Sequence, residues 1–243
     1  MRVLVLSDVH ANLAALEAVL AHASGSYDEI WNLGDTVGYG PEPVACQDRL
    51  NAIAPVQLAG NHDLAAAGVV SAETFNPVAR AANEWTAHQL DDWHRHDLAQ
   101  RPGKVERDGV TLAHGSPRDP IWEYVIDSVS ATASLLHVEG DLCFVGHSHV
   151  ALAAIIRPGE RSARMIPLDP NTTLDLQIGR MLVNPGSVGQ PRDGDPRAAY
   201  AIYDSAKQTV IGHRVAYNIE QTQNAMRAVN LPERLINRLT SGR

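Results

Sequence analysis

Five short segments of the chain carry residues able to hold a metal ion or move a proton: Asp8-Val9-His10, Gly34-Asp35-Thr36-Val37-Gly38, Gly60-Asn61-His62-Asp63, Ala113-His114-Gly115 and Gly146-His147-Ser148-His149. On an extended backbone, side chains at i and i+2 aim the same way, so Asp8 with His10, and His147 with His149, could each grip one ion. Histidine is the commonest metal ligand, and neutral imidazoles need little extra geometry to chelate. Taken singly, each match is common by chance, and Gly, Asn and Asp populate ordinary turns for backbone reasons alone. The weight lies in the set. The other six histidines, His22, His88, His94, His96, His137 and His213, have no such company and are assigned to helix or strand surfaces.

Each segment follows a run that reads as a strand. Arg2 to Ser7 is apolar and β-branched, and Ala11 to Ala23 then has helical spacing with Asn12 as its N-cap. Glu29 to Leu33 precedes Gly34-Asp35, a helix is expected over Glu42 to Ile53, and Val56 to Ala59 precedes Gly60-Asn61. Alternating strands and helices predict an α/β sheet, whose ligands bind beyond the carboxyl ends of the strands. One long helix is expected over Asn76 to Gln100. Thereafter short runs at 110–113, 142–145, 150–156, 163–167, 181–183, 198–203 and 209–215 predict a second sheet. Two C-terminal helices follow, at 219–229 and 232–239. No linker, low-complexity stretch or repeat divides the chain, so residues 1–243 are expected to form a single domain.

Composition narrows the function. With 44% hydrophobic and 20% charged residues in 243, disorder and fibrous structure are excluded. A net charge of −8, and only two Phe, four Trp and six Tyr, give neither the basic footprint nor the stacking platforms that nucleic acids require. Cys46 and Cys143 lack metal-site or disulfide spacing, no signal-type run follows Met1, and no window has the ~20 apolar residues of a membrane span. A cytoplasmic protein with no membrane partner is expected.

The ordered set D-x-H, G-D-x-x-G, G-N-H-D, H and G-H-x-H resembles the calcineurin-like metallophosphoesterase superfamily, and Asn184-Pro-Gly-Ser-Val-Gly-Gln-Pro-Arg192 is similar to its small prokaryotic branch. The resemblance implies a four-layer αββα sandwich of two mixed sheets flanked by helices. It implies two divalent transition-metal ions, with Asp8, His10 and His149 on the first, Asn61, His114 and His147 on the second, and Asp35 bridging both. His62 matches the unligated histidine that protonates the leaving group. Two such ions against two carboxylates would make a positive centre in an acidic protein, able to activate a bridging water and stabilise in-line displacement at phosphorus. Four imidazoles and a carboxamide suit Mn, Fe or Zn better than Mg.

Departures from the family pattern bear on the substrate. Protein Ser/Thr phosphatases of this type carry G-D-x-V-D-R-G in the second block, whereas this chain has Gly38 and Tyr39 in place of the Asp and Arg. The expected activity is therefore hydrolysis of a small, nucleotide-like phosphoester, diester or monoester, a dinucleoside polyphosphate being one specific version. The alternatives are a protein phosphatase and a non-catalytic metal-binding scaffold, the latter opposed by intact His62. Arg118 and Arg192 are the candidate phosphate contacts, Asp63 a candidate support for His62, and Trp122 and Tyr124 candidate walls of the pocket.

Overall fold

Val3, Leu4, Val5 and Leu6 are all fully buried, which a strand achieves only when both of its faces are covered. In the computed structural model, which describes residues 1–243, they form β1 (Arg2–Leu6), an inner strand. Val3 and Val5 face one core, Leu4 and Leu6 another. The first sheet has the spatial order β3 (Val56–Gln57), β2 (Glu29–Asn32), β1, β11 (Ala198–Asp204), β12 (Thr209–Val215) and β9 (Thr173–Asp175). The second has β4 (Lys104–Arg107), β5 (Val110–Ala113), β6 (Leu142–Phe144), β10 (Arg180–Asn184), β7 (Leu152–Ile156) and β8 (Arg164–Pro167). Both are mixed: β1 pairs with β2 parallel and with β11 antiparallel, and β10 pairs with β6 parallel and with β7 antiparallel.

The sheets meet through Val3, Val5, Trp31 and Leu58 on one side and Leu112, Phe144, Met181 and Val183 on the other. The rings of Trp31 and Phe144 cross edge to face, their centroids 6.4 Å apart. On the outer face of the first sheet lie α1 (Leu13–His22) and α2 (Pro43–Ile53), burying Leu16, Val19 and Leu50. On the outer face of the second lies α6 (Ser128–His137), burying Ala131 and Leu135. The αββα sandwich anticipated from the sequence is present. Around one end pack α3 (Asn61–Ala66), α4 (Pro77–Gln89), α5 (Asp92–Gln100), α7 (Ile219–Ala228) and α8 (Glu233–Ser241). No helix is long and apolar enough to cross a membrane.

The segment 76–100 is two helices, contrary to the single one expected. Leu90 is extended (φ −83°, ψ 132°), and the Asp91 carboxylate accepts the His94 backbone N–H at 2.9 Å to start α5. The break lets Leu90 and Leu98 bury together against Val37 and Ala66. Only the start of α4, through Asn76 and Ala79, reaches the metal-site cavity described below. Asn12 caps α1 as expected, accepting from Ala15 N at 3.2 Å. The sequence reading had no counterpart for α3, α6, β4 or β9.

Truncating the ring that joins the sheets tests this core. Phe144→Ala is expected to cost about 3–5 kcal/mol by urea unfolding with an unchanged slope; a loss below about 1 kcal/mol would contradict the packing of the two sheets through this residue.

Candidate metal centre

Parallel pairing brings the carboxyl ends of β1, β2 and β3 to one edge of the first sheet, and that of β5 and β6 to the facing edge of the second. The five segments singled out in the sequence leave these five strand ends and converge. Asp8, His10, Asp35 and His149 present ligand atoms within 4.8 Å of one another, and Asp35, His114 and His147 do the same. Asp35 belongs to both groups. Its Oδ2 lies 3.5 Å from His10 Nε2 and 3.5 Å from His114 Nε2, while Oδ1 accepts the His62 backbone N–H at 2.9 Å. Asn61 joins the second group, its Oδ1 3.4 Å from His114 Nε2. All seven side chains are buried.

The convergence is not the extended i, i+2 alternation inferred from spacing. Asp8 (φ 54°), His10 (49°), Asp35 (53°), His147 (63°) and His149 (59°) are all left-handed, a region costly for non-glycine residues. These turns send His147 and His149 into different groups, so the two imidazoles do not grip one ion as a pair. Glycine matters where backbones close on this point: a Cβ at Gly60 would overlap the Asp35 carboxylate, and one at Gly38 (φ 86°) would lie 2.7 Å from His62 Nδ1.

Hydrogen bonds fix which nitrogen each ring offers. The Nδ1 atoms of His10, His114 and His149 face the carbonyls of Val37 (3.1 Å), Leu33 (3.0 Å) and Gln190 (2.6 Å). A carbonyl only accepts, so Nδ1 carries the proton and each Nε2 presents a lone pair inward. The His10 and His149 Nε2 atoms are 3.1 Å apart. Two facing lone pairs repel, and Asp8 Oδ1, Asp35 Oδ2 and His147 Nε2 are buried without a hydrogen-bond partner. A cation in each group would satisfy all of them. The residues therefore fit a binuclear centre.

Burial drives these groups toward neutrality. It raises the Asp8 carboxyl to about 7 and the Asp35 carboxyl well above the usual range, the latter also through Asp63 and Asp8. It lowers His10, His114 and His149, and takes His147 down to about 4 with help from Arg192.

Around this floor lies a cavity of about 310 Å³, walled by Tyr39, Phe75, Trp122 and Tyr124, with His62 and Arg192 on its lining. The Tyr124 ring stacks on His147 at 4.0 Å, and Phe75 meets Trp122 edge to face at 6.1 Å. Trp122 and Tyr124 are walls, as the sequence allowed. Arg192 reaches the Tyr39 hydroxyl at 3.3 Å, a guanidinium brought beside the position where the protein phosphatases carry theirs. Arg118 is placed differently from expectation: its guanidinium is paired with Glu123 and does not line the cavity. Asp63 does not support the His62 ring, because its carboxylate accepts from Val37 N (3.0 Å) and Gly60 N (3.1 Å). Phe75 went unnoticed in the sequence, where nothing in the run Ala72 to Asn76 marks it as functional.

A family model described as a calcineurin-like phosphoesterase superfamily domain matches residues 1–208. The chain belongs to that superfamily. It is 47% identical to a metallophosphoesterase from Sphaerobacter thermophilus, whose crystal structure matches with a TM-score of 0.90 over 100% of this chain and 99% of that one. An uncharacterized protein from Methanocaldococcus jannaschii is 34% identical over 246 residues, covering 98% of this chain and 97% of the relative. A hypothetical protein from Pyrococcus horikoshii, 21% identical with a TM-score of 0.77 over 100% and 98% of the two chains, shares the fold. The buried His/Asp groups are thus the metal-binding groups of a metallophosphoesterase.

Because Asp8 and Asp35 hold protons above their ordinary range, a cation must displace protons to bind, and affinity must fall as pH falls. Manganese titrated calorimetrically into metal-free protein is expected to bind more tightly as pH rises from 5.5 toward about 7, with protons released. PH-independent affinity across that window would contradict carboxylate control of the site.

Proposed function

We propose that this metallophosphoesterase hydrolyses small phosphoesters, diesters or monoesters of nucleotide-like compounds, at a centre of two divalent Mn, Fe or Zn ions. In this reading Asp8, His10 and His149 hold one ion, Asn61, His114 and His147 the other, and Asp35 both. The observation that carries it is Asp35 Oδ2, buried, unpartnered and equidistant from an imidazole of each group at the floor of an open cavity. Two bound ions supply an activated water and charge stabilisation for in-line displacement at phosphorus. The remaining roles fall to the chain. A cavity of about 310 Å³ with four aromatic walls suits a small ester. Arg192 offers a fork for phosphoryl oxygens. Cys46 and Cys143, both buried and free, support a reducing, cytoplasmic setting.

His62 is the proton donor to the leaving group in this reading. Its ring stands between Tyr39 (4.3 Å) and Phe75 (4.7 Å), and Asn83 Nδ2 donates to its backbone carbonyl at 2.9 Å. Nδ1 is buried against Gly38 without a partner, which leaves Nε2 as the nitrogen open to the cavity. Burial and then Arg192 hold the free ring well below its ordinary pKa. An incoming phosphate anion offsets the Arg192 charge and favours the protonated ring, and in this reading Nε2 carries the proton that the leaving group takes. With no carboxylate behind it, this acid matters most for leaving groups that cannot depart as anions.

Manganese-loaded protein is expected to hydrolyse a p-nitrophenyl phosphodiester. His62→Ala should keep its metal content, lose about 10²–10⁴-fold on an alkyl ester and lose less on the nitrophenyl ester. Absence of turnover on every ester with both metals bound would overturn the hydrolytic reading, and equal losses on the two esters would remove the general-acid role.

A further inference from the structure

Arg234 and Arg238 lie one turn apart on α8 and together line a cavity of about 180 Å³. Tyr39 and Asn76 line both this cavity and the one above the metal centre, so the two share a wall. Arg192 stands on the metal side of that wall. The Gln190 side-chain oxygen accepts from Arg192 at 3.0 Å and from Arg238 at 3.1 Å, holding two guanidinium groups side by side. The Gln190 backbone carbonyl fixes His149. The cationic row is therefore tied directly to the metal-binding groups.

No side-chain carboxylate compensates this charge. No Asp or Glu side chain pairs with Arg192, Arg234 or Arg238, whereas Arg118, Arg197 and Arg214 all have carboxylate partners. Arg192 Nε is buried with no partner at all, and Arg238 Nε donates to the Arg243 backbone oxygen at 2.9 Å. Burial and the cations of Arg192 and Arg234 push Arg238 below its ordinary pKa, a sign of mutual repulsion. Packing does not require it: α8 buries Leu235, Ile236 and Leu239, and neutral side chains at 234 and 238 would leave that face intact. In a chain of net charge −8, three guanidinium groups without a side-chain carboxylate partner, on the two sides of one cavity wall, mark a place for an anion. Arg234 and Arg238 lie outside the residues 1–208 that the family model matches.

We propose that Arg234 and Arg238, beside Arg192, form a subsite for a second phosphate of the substrate, distal to the one that is cleaved. The substrate class is then a nucleotide-like ester bearing at least two phosphates. This rests on the phosphoesterase reading of the metal centre. Two guanidinium groups lining one cavity can bind a phosphate dianion through N–H donors, and a lysine in either place would keep charge but lose the planar donor set.

The test compares thymidine 5′-(p-nitrophenyl phosphate) with the same ester carrying a 3′-phosphate; bond broken and leaving group are identical. For the manganese-loaded protein the ratio of kcat/KM, phosphorylated over unphosphorylated, is expected to be tenfold or more. In R234Q/R238Q it should fall to about one, with partial recovery in R234K/R238K. A ratio of one in the wild type, or a high ratio that survives in R234Q/R238Q, overturns the subsite. A second readout separates this from the hydrolytic reading: calorimetric binding of thymidine 3′,5′-bisphosphate against thymidine 5′-monophosphate. If neither ester turns over, tighter binding of the bisphosphate that is lost in R234Q/R238Q upholds the subsite while the hydrolytic reading fails; equal binding overturns it. Inorganic phosphate that binds the wild type but not the variant, alongside an ester ratio of one, would make this an independent anion site and overturn the proposal.

Discussion

One carboxylate is held in common by everything at the metal centre. Asp35 sits in a left-handed turn at the end of β2, with Oδ1 pinned by the His62 backbone and Oδ2 midway between an imidazole from each group. A buried carboxylate so placed is unfavourable by itself, since burial and the neighbouring Asp8 and Asp63 all resist its charge. Two cations, as proposed, would turn that cost into the reason for the site. The unpartnered oxygens and the two inward lone pairs at 3.1 Å would then be ligands rather than defects.

Holding Asp35 in this state requires both sheets. His10 leaves the first sheet and His114, His147 and His149 the second, so each metal group draws on the two halves of the sandwich. The core centred on Trp31 and Phe144 therefore sets the distance between ligands. Carbonyls of Val37, Leu33 and Gln190 orient three rings, which means that the loop backbone, as well as the side chains, specifies the centre. The helices at the same end complete the surroundings of the metal-binding groups: α3 presents His62, the start of α4 brings Asn76 and Ala79 to the cavity, and α8 carries Arg234 and Arg238 beside it.

Residue types and chain order made the seven candidate ligands legible, because strands ending in Asp, Asn or His leave a local mark. The strands were readable for the same reason, as short apolar runs closed by turns. What spacing could not supply was direction. His147 and His149 part because both adopt left-handed turns, and side-chain alternation along an extended chain does not hold there. Arg118 and Arg192 looked equivalent in sequence, yet Glu123, five residues beyond Arg118, captures the first, and no acid reaches the second. Asp63 was adjacent to His62, but an α3 start turns its carboxylate back onto Gly60 N and Val37 N. The helix over 76–100 breaks because burying Leu90 beside Val37 outweighs continuing a solvent-facing turn, a tertiary effect that periodicity cannot register.

The central claim is that Asp35 is shared by two ions, and anomalous diffraction from crystals of manganese-reconstituted protein tests it most directly. Two peaks per chain are expected, one among Asp8, His10 and His149 and one among Asn61, His114 and His147, each within ligand distance of the Asp35 carboxylate. A single peak, or two peaks of which only one touches Asp35, would contradict the account.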